Sequence, residues 1–165
     1  MQRGIRREIH NLEVAANCGS TPNLICNGIQ QQEDDGLFPG GYVAYIVMTK
    51  VAGENLENYG NMEKSEQHRI QLAFLDALWD FQACHLYHHD ARLQNVIWDP
   101  DLQKCYIVDL EDHELDSTEK PEDVCLDPWE HLWYWCLIPN DEIHEPTIFY
   151  SKEAMIQYYQ EQLGH

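Results

Sequence analysis

The strongest constraint on this chain is the stretch 65–111, where a helical pattern runs into a polar loop and two short strands. In residues 65–84, Ile70, Phe74, Ala77, Leu78 and Phe81 follow the 3.6-residue period, and Leu75 and Trp79 widen the stripe. A helix apolar over so wide an arc belongs in a core. Directly after it come His88-His89-Asp90-Ala91-Arg92-Leu93-Gln94-Asn95 and, further on, Tyr106-Ile107-Val108-Asp109-Leu110-Glu111. Residues 95–99 and 104–108 read as short strands around the turn signal Asp99-Pro100-Asp101. The order supplies a carboxylate, an amide five positions on, and a second carboxylate after a strand-turn-strand. Phosphoryl transfer needs such a set. One carboxylate orients the attacking hydroxyl, and the amide and the other carboxylate hold magnesium on the phosphates.

Length and charge narrow the field. The chain has 165 residues, 44% of them hydrophobic, enough for one domain with a real core. Its net charge is −19, from 29 acidic and 10 basic residues. No basic patch is available, which excludes nucleic acid and anionic membrane surfaces as partners. No apolar run reaches the ~18 residues of a spanning helix. The first residues, Met1 to Arg7, lack the apolar stretch of a signal peptide. The six cysteines form no C-x-x-C pair and no N-x-[ST] sequon occurs. Both fit reduced thiols in a cytoplasmic protein. Cys84, His85, His88 and His89 lack a second ligand pair at zinc spacing, so they read as a helix end entering a tight loop.

The rest of the chain supplies neighbours for the central helix. Residues 5–16 read as a helix with Ile5, Ile9, Leu12 and Ala16 on one stripe, and Gly19 as its C-terminal cap. Residues 23–30 and 42–50 read as strands joined by a polar, glycine-rich turn. A short helix follows Gly53-Glu54-Asn55-Leu56. Residues 129–138 read as a buried helix, with Trp129, Trp133, Tyr134 and Trp135 in the core rather than around a ligand. Ser151 can cap a final helix that turns Met155, Ile156, Tyr159 and Leu163 inward. Residues 111–125 are acidic and without periodicity, and read as an exposed loop.

The His-His-Asp loop resembles the H-R-D-L-x-x-x-N catalytic loop of protein kinases, and Asp109-Leu110-Glu111 resembles their D-F-G. The runs around them look like a divergent group of fungal kinase-like proteins. The resemblance covers residues 5–135. It implies an α+β, protein-kinase-like fold. Residues 1–52 would form a partial N-terminal lobe, one helix plus the hairpin, and the hinge. Residues 53–165 would form a mainly helical C-terminal lobe. Arg7-Glu8-Ile9 with Leu12, then Pro22-Asn23-Leu24-Ile25, is similar to the regulatory-helix pattern, which makes Glu8 the partner of an ATP-anchoring lysine. Residues 46–53 resemble the hinge, with Met48 as gatekeeper and the backbones of Thr49 and Val51 facing adenine. Asp90 is then the catalytic base. Arg92 sits where kinases carry a lysine that touches the transferred phosphate. Asn95 and Asp109 are the magnesium ligands. The implied cofactors are ATP and magnesium, and the implied acceptor is a protein hydroxyl.

Three departures qualify that resemblance. No G-x-G-x-x-G occurs, and no lysine-bearing strand precedes Glu8; Lys50 lies after Glu8 and too close to Asp90, and reads as a hinge residue. His89 replaces the arginine that pairs with a phosphorylated activation loop, so such regulation is not expected. The segment between Asp109 and Asp127-Pro128-Trp129, a match to D-x-W, is short, and Lys120-Pro121-Glu122 is a poor A-P-E. The expectation is a kinase-like domain that is weakly active or inactive as this chain. The alternatives are a small-molecule phosphotransferase of aminoglycoside-kinase type and a non-catalytic pseudokinase binding module. Without further strands the 42–48 edge would be open and apolar, and such an edge aggregates or recruits another chain.

Overall fold

The computed structural model of the chain describes residues 2–110, 113–115, 124–139 and 144–164. Its centre is helix α2 (Lys64–Ala83), which buries Ile70, Phe74, Leu75, Ala77, Leu78 and Phe81, as the period requires. It also buries Gln67 and Gln71. Those amides are affordable because their hydrogen bonds are made. The Gln71 amide donates to the Tyr59 hydroxyl and to the Leu137 carbonyl, both at 2.9 Å, and Gln67 donates to the Tyr59 carbonyl at 2.9 Å. Tyr159 donates its hydroxyl back to Gln71 at 3.1 Å. Polar staples thus tie α2 to three distant segments.

Two small antiparallel sheets pack beside α2. Strand β3 (Glu54–Asn55) pairs with β5 (Val96–Asp99), which pairs with β6 (Lys104–Ile107). The β5–β6 turn closes because the Asp99 carboxylate accepts from the backbone N–H of Asp101 and Leu102, at 3.0 and 3.1 Å. Gly53 has φ +101, and a Cβ there would lie 2.0 Å from the Trp98 carbonyl oxygen, so only glycine lets β3 approach. Strand β4 (Leu86–His88) pairs with β7 (His113–Leu115).

Helix α3 (Pro128–Tyr134) starts where the Asp127 carboxylate accepts from the N–H of Trp129 and Glu130, with Pro128 in the first turn. Helix α4 (Lys152–Leu163) is capped by Ser151, as its sequence suggests, and buries Met155 and Tyr159. Lys152 pins it to Asp76 and Asp80 of α2, at 2.8 Å each.

Ahead of this body lie α1 (Gln2–Val14) and the ribbon of β1 (Leu24–Gln31) and β2 (Tyr42–Met48). Their register runs from Gln31↔Tyr42 to Leu24↔Met48, with a bulge between Leu24 and Cys26. The mixed α+β class is as expected from the sequence.

Two local expectations are corrected. Gly19 does not cap α1 in a left-handed conformation. The helix instead tightens into a 3-10 turn, Ala15–Asn17, closed by the Cys18 N–H on the Ala15 carbonyl at 2.8 Å. The helix expected over 129–138 ends at Tyr134, because Cys136 turns left-handed (φ 59) and the Leu137 N–H returns to the Leu132 carbonyl at 2.8 Å. The aromatic cluster is therefore split. Trp135 is fully buried, whereas Trp133 and Tyr134 are about half exposed. Trp129 stacks on His144, with ring centroids 3.6 Å apart. The stretch 111–125 is not all exposed loop: His113–Leu115 form β7 and Val124 is buried, while Lys120-Pro121-Glu122 lie outside the described residues.

Candidate functional site

The site is assembled around His88, the last residue of β4. Its ring is buried edge-on against Trp135, with centroids 4.9 Å apart. Its Nδ1 accepts the Asp90 backbone N–H at 3.1 Å, and its Nε2 meets the Val108 carbonyl at 3.1 Å. A carbonyl only accepts, so Nε2 carries the proton and the imidazole is neutral. One side chain thereby ties the loop bearing Asp90 to the residue just before Asp109.

Asn95 makes the second tie. It is buried at the end of the 3-10 turn Leu93–Asn95. Its amide nitrogen donates to the Asp90 carbonyl at 3.0 Å and reaches the Asp90 carboxylate at 3.4 Å. Its own carbonyl receives the Val108 N–H at 3.0 Å. With the nitrogen so engaged, Oδ1 is the atom of Asn95 that can ligate a cation. The Arg92 guanidinium pairs with the Asp90 carboxylate, both groups being partly exposed.

Asp109 is displayed by a backbone turn. Its φ is +65 and it is exposed, while the next residue, Leu110, is buried. The Leu110 carbonyl accepts from the Asn11 amide of α1 at 2.6 Å. Burying Leu110 and holding its carbonyl force the reversal at Asp109. Aspartate tolerates the left-handed region better than most side chains.

The remaining predicted residues lie on α1, at the end of β2 and in the segment just after it. Glu8 is half-buried on α1, one turn before Asn11, and residues so spaced share a helix face. Met48 packs partly against the core. The Thr49 N–H is taken by the Asn23 carbonyl at 2.9 Å, and its hydroxyl accepts the Asn23 N–H at 2.9 Å. Of its backbone groups, only the carbonyl is left to face a ligand. Val51 is half-buried. Glu111 lies outside the described residues. The structure thus stitches Asp90, Arg92, Asn95 and the Asp109 turn together through direct hydrogen bonds. It shows no such tie for Met48 or Val51. His88 and Asn11 belong to the site beyond the residues that the sequence points to. His88 is the first residue of the loop motif and was legible there. Asn11 carries no signal beyond its place beside Leu12.

Among the described residues, no group of three or more His, Cys, Asp or Glu side chains is placed to hold a metal. The residues expected from the sequence to offer donors are Asp109, Asn95 and Asp90. Two carboxylates and an amide are hard oxygen donors that suit magnesium sharing its shell with phosphates and water. A cavity of ≈ 570 Å³ lies elsewhere, between Tyr59, His68, Trp129, Leu137 and Tyr159. No described helix is long and apolar enough to cross a membrane.

No protein-family model matches the sequence. No curated protein matches it either. In three dimensions the chain is similar to the Cydia pomonella granulovirus kinase PK-1, with a TM-score of 0.50 and 17% identity. The match covers 68% of this chain and 40% of the viral kinase, so the chain spans less than half of that protein. At such identity the likeness establishes the fold alone, and the fold is kinase-like.

Proposed function

We propose that this chain is a kinase-like domain that binds a magnesium–adenine nucleotide weakly and, by itself, transfers phosphoryl groups negligibly. One observation carries the proposal. His88 and Asn95 together clamp the Asp90 loop to the Asp109 turn, the arrangement that a shared magnesium–phosphate site demands. Asp90 is the base that would accept the proton of the attacking hydroxyl. Arg92 neutralises it in the free protein and can turn to the phosphate. Asn95 Oδ1 and Asp109 would hold magnesium, whose contribution is to neutralise phosphate charge. Met48, the Thr49 carbonyl and the Val51 backbone are assigned to adenine, and Glu8 to the lysine partner of an active kinase. The chain is read as one helix and ribbon over a helical lobe, of the divergent fungal type.

Weakness follows from what these 165 residues lack, a glycine-rich loop and a strand lysine ahead of Glu8. Two charge-assisted hydrogen bonds to phosphate are worth about 3–6 kcal/mol. Their loss lowers affinity at least about a hundredfold. The short span between Asp109 and Asp127 offers little platform for a peptide, which favours the small-molecule acceptor as the second reading.

Calorimetric titration with ATP and magnesium, on wild type and Asp109→Asn, tests the assignment. Weak, magnesium-dependent binding lost in the variant is expected. Micromolar or tighter binding unchanged by the substitution would refute the metal site. Robust ATP turnover abolished by Asp90→Asn would show a working enzyme instead.

A further inference from the structure

Strand β2 is apolar on both of its faces. Residues opposite each other in an antiparallel pair share a face. By the register, Ala44, Ile46 and Met48 share one face with Ile29, and Ile46 and Met48 lean on the core. Val43, Tyr45 and Val47 share the other with Gln30 and Cys26. That outward face is open: Tyr45 is 50% and Val47 44% exposed. A strand that reads as an unbroken apolar run suits a sheet covered on both sides, whereas a strand with one wet face alternates with polar residues.

The ribbon is also only two strands wide among the described residues. Each strand therefore turns a row of backbone N–H and C=O groups away from its partner. Proteins usually protect such edges with lysines, prolines or bulges. The ribbon's one bulge among the described residues is in β1, and no Lys or Arg occurs between Arg7 and Lys50. The edge of β2 has neither device. Along the outward face, Gln30, Val43 and Tyr45 line a groove of ≈ 290 Å³ with Glu33 and Asp35 beside it.

We infer that the ribbon is an interaction surface which accepts a basic, strand-forming segment of another polypeptide, added along the edge of β2. Apolar side chains of the incoming strand would cover Val43, Tyr45 and Val47, and its Lys or Arg side chains would meet Glu33 and Asp35. Charge selects this occupant over a second copy. The chain carries −19, and a second copy would bring more acid and no cation to the ribbon. Main-chain pairing supplies affinity in such additions, and alternate side chains supply selectivity.

The test titrates the whole chain with a labelled valine-rich peptide as long as β2, carrying two lysines only at the end that lies beside Glu33 and Asp35, and with the same peptide N-methylated at every backbone nitrogen. Fluorescence anisotropy is the readout. Saturable binding of the first peptide, weakened about tenfold or more by N-methylation, is expected. A similar loss is expected in the double variant Tyr45→Lys/Val47→Lys, and a smaller, salt-sensitive loss in Glu33→Gln/Asp35→Asn. Equal binding of both peptides would reduce the effect to charge attraction and overturn the inference; this comparison uses only the wild-type chain. So would a double variant that binds as wild type does. Sedimentation equilibrium showing a wild-type dimer that the double variant dissociates would assign the face to a second copy and also overturn it.

Discussion

Helix α2 and the β1–β2 ribbon both carry long apolar patterns, yet one is almost wholly covered and the other faces water. Ile70, Phe74, Leu75 and Phe81 of α2 are fully buried, while Ile25, Ile29, Tyr42 and Tyr45 of the ribbon are at least half exposed. The difference is one of partners. The helix meets β6, α3 and α4, all supplied later by the same chain, whereas the ribbon packs on α1. Local patterning makes a helix or a strand pair, but coverage depends on what the chain brings back against it. The candidate site belongs to the covered region, with Trp135 beneath His88 and α2 beneath both.

The largest effect that would break this contrast is a core truncation. Phe74→Ala or Trp135→Ala should cost about 3–5 kcal/mol in urea unfolding. Tyr45→Ala should cost within about 1 kcal/mol. Equal costs would mean that the ribbon is as integral as α2. Asn11→Ala should fall between them, at about 1–3 kcal/mol, because it leaves the buried Leu110 carbonyl unpaired. Amide exchange should quicken selectively at residues 108–110, which would sharpen the link between α1 and the site.

A smaller effect is pH-dependent. Burial lowers the pKa of His131, against the opposing pull of Glu130 and Asp127. The unfolded chain, at the ordinary value near 6.5, then binds more protons than the folded one. Stability should therefore fall as pH drops through and below 6.5, and His131→Gln should flatten that slope in denaturant midpoints measured across this range. Smallest in stability is Asp109→Gly. It removes a side chain from a left-handed position but frees the unfolded backbone, so the net change should stay under about 1 kcal/mol. The same variant should lose magnesium-dependent nucleotide binding.

Much of the covered region was legible in the sequence, because its signals are local. The period of residues 65–84, the Asp99-Pro100-Asp101 turn, and the Ser151 cap each act within a few residues of themselves. The errors arose where a local pattern competed with a backbone choice. Cys136 turns left-handed and cuts short a helix whose apolar pattern ran on, and a 3-10 turn made Gly19 unnecessary as a cap. That the Asp90 loop, Asn95 and the Asp109 turn are tied together was readable from spacing. The Asn11–Leu110 hydrogen bond was not, since it joins residues 99 positions apart in the sequence.

Paramagnetic relaxation by manganese–ATP, read residue by residue in amide NMR spectra, tests the shared site most directly. The clamp formed by His88 and Asn95 requires the signals of Asp90, Asn95, Asp109 and Leu110 to broaden together, with Asp109→Asn abolishing the effect. Broadening confined to Glu33, Asp34 and Asp35 at the ribbon tip, or spread evenly over the acidic surface, would contradict a nucleotide–metal site at these residues.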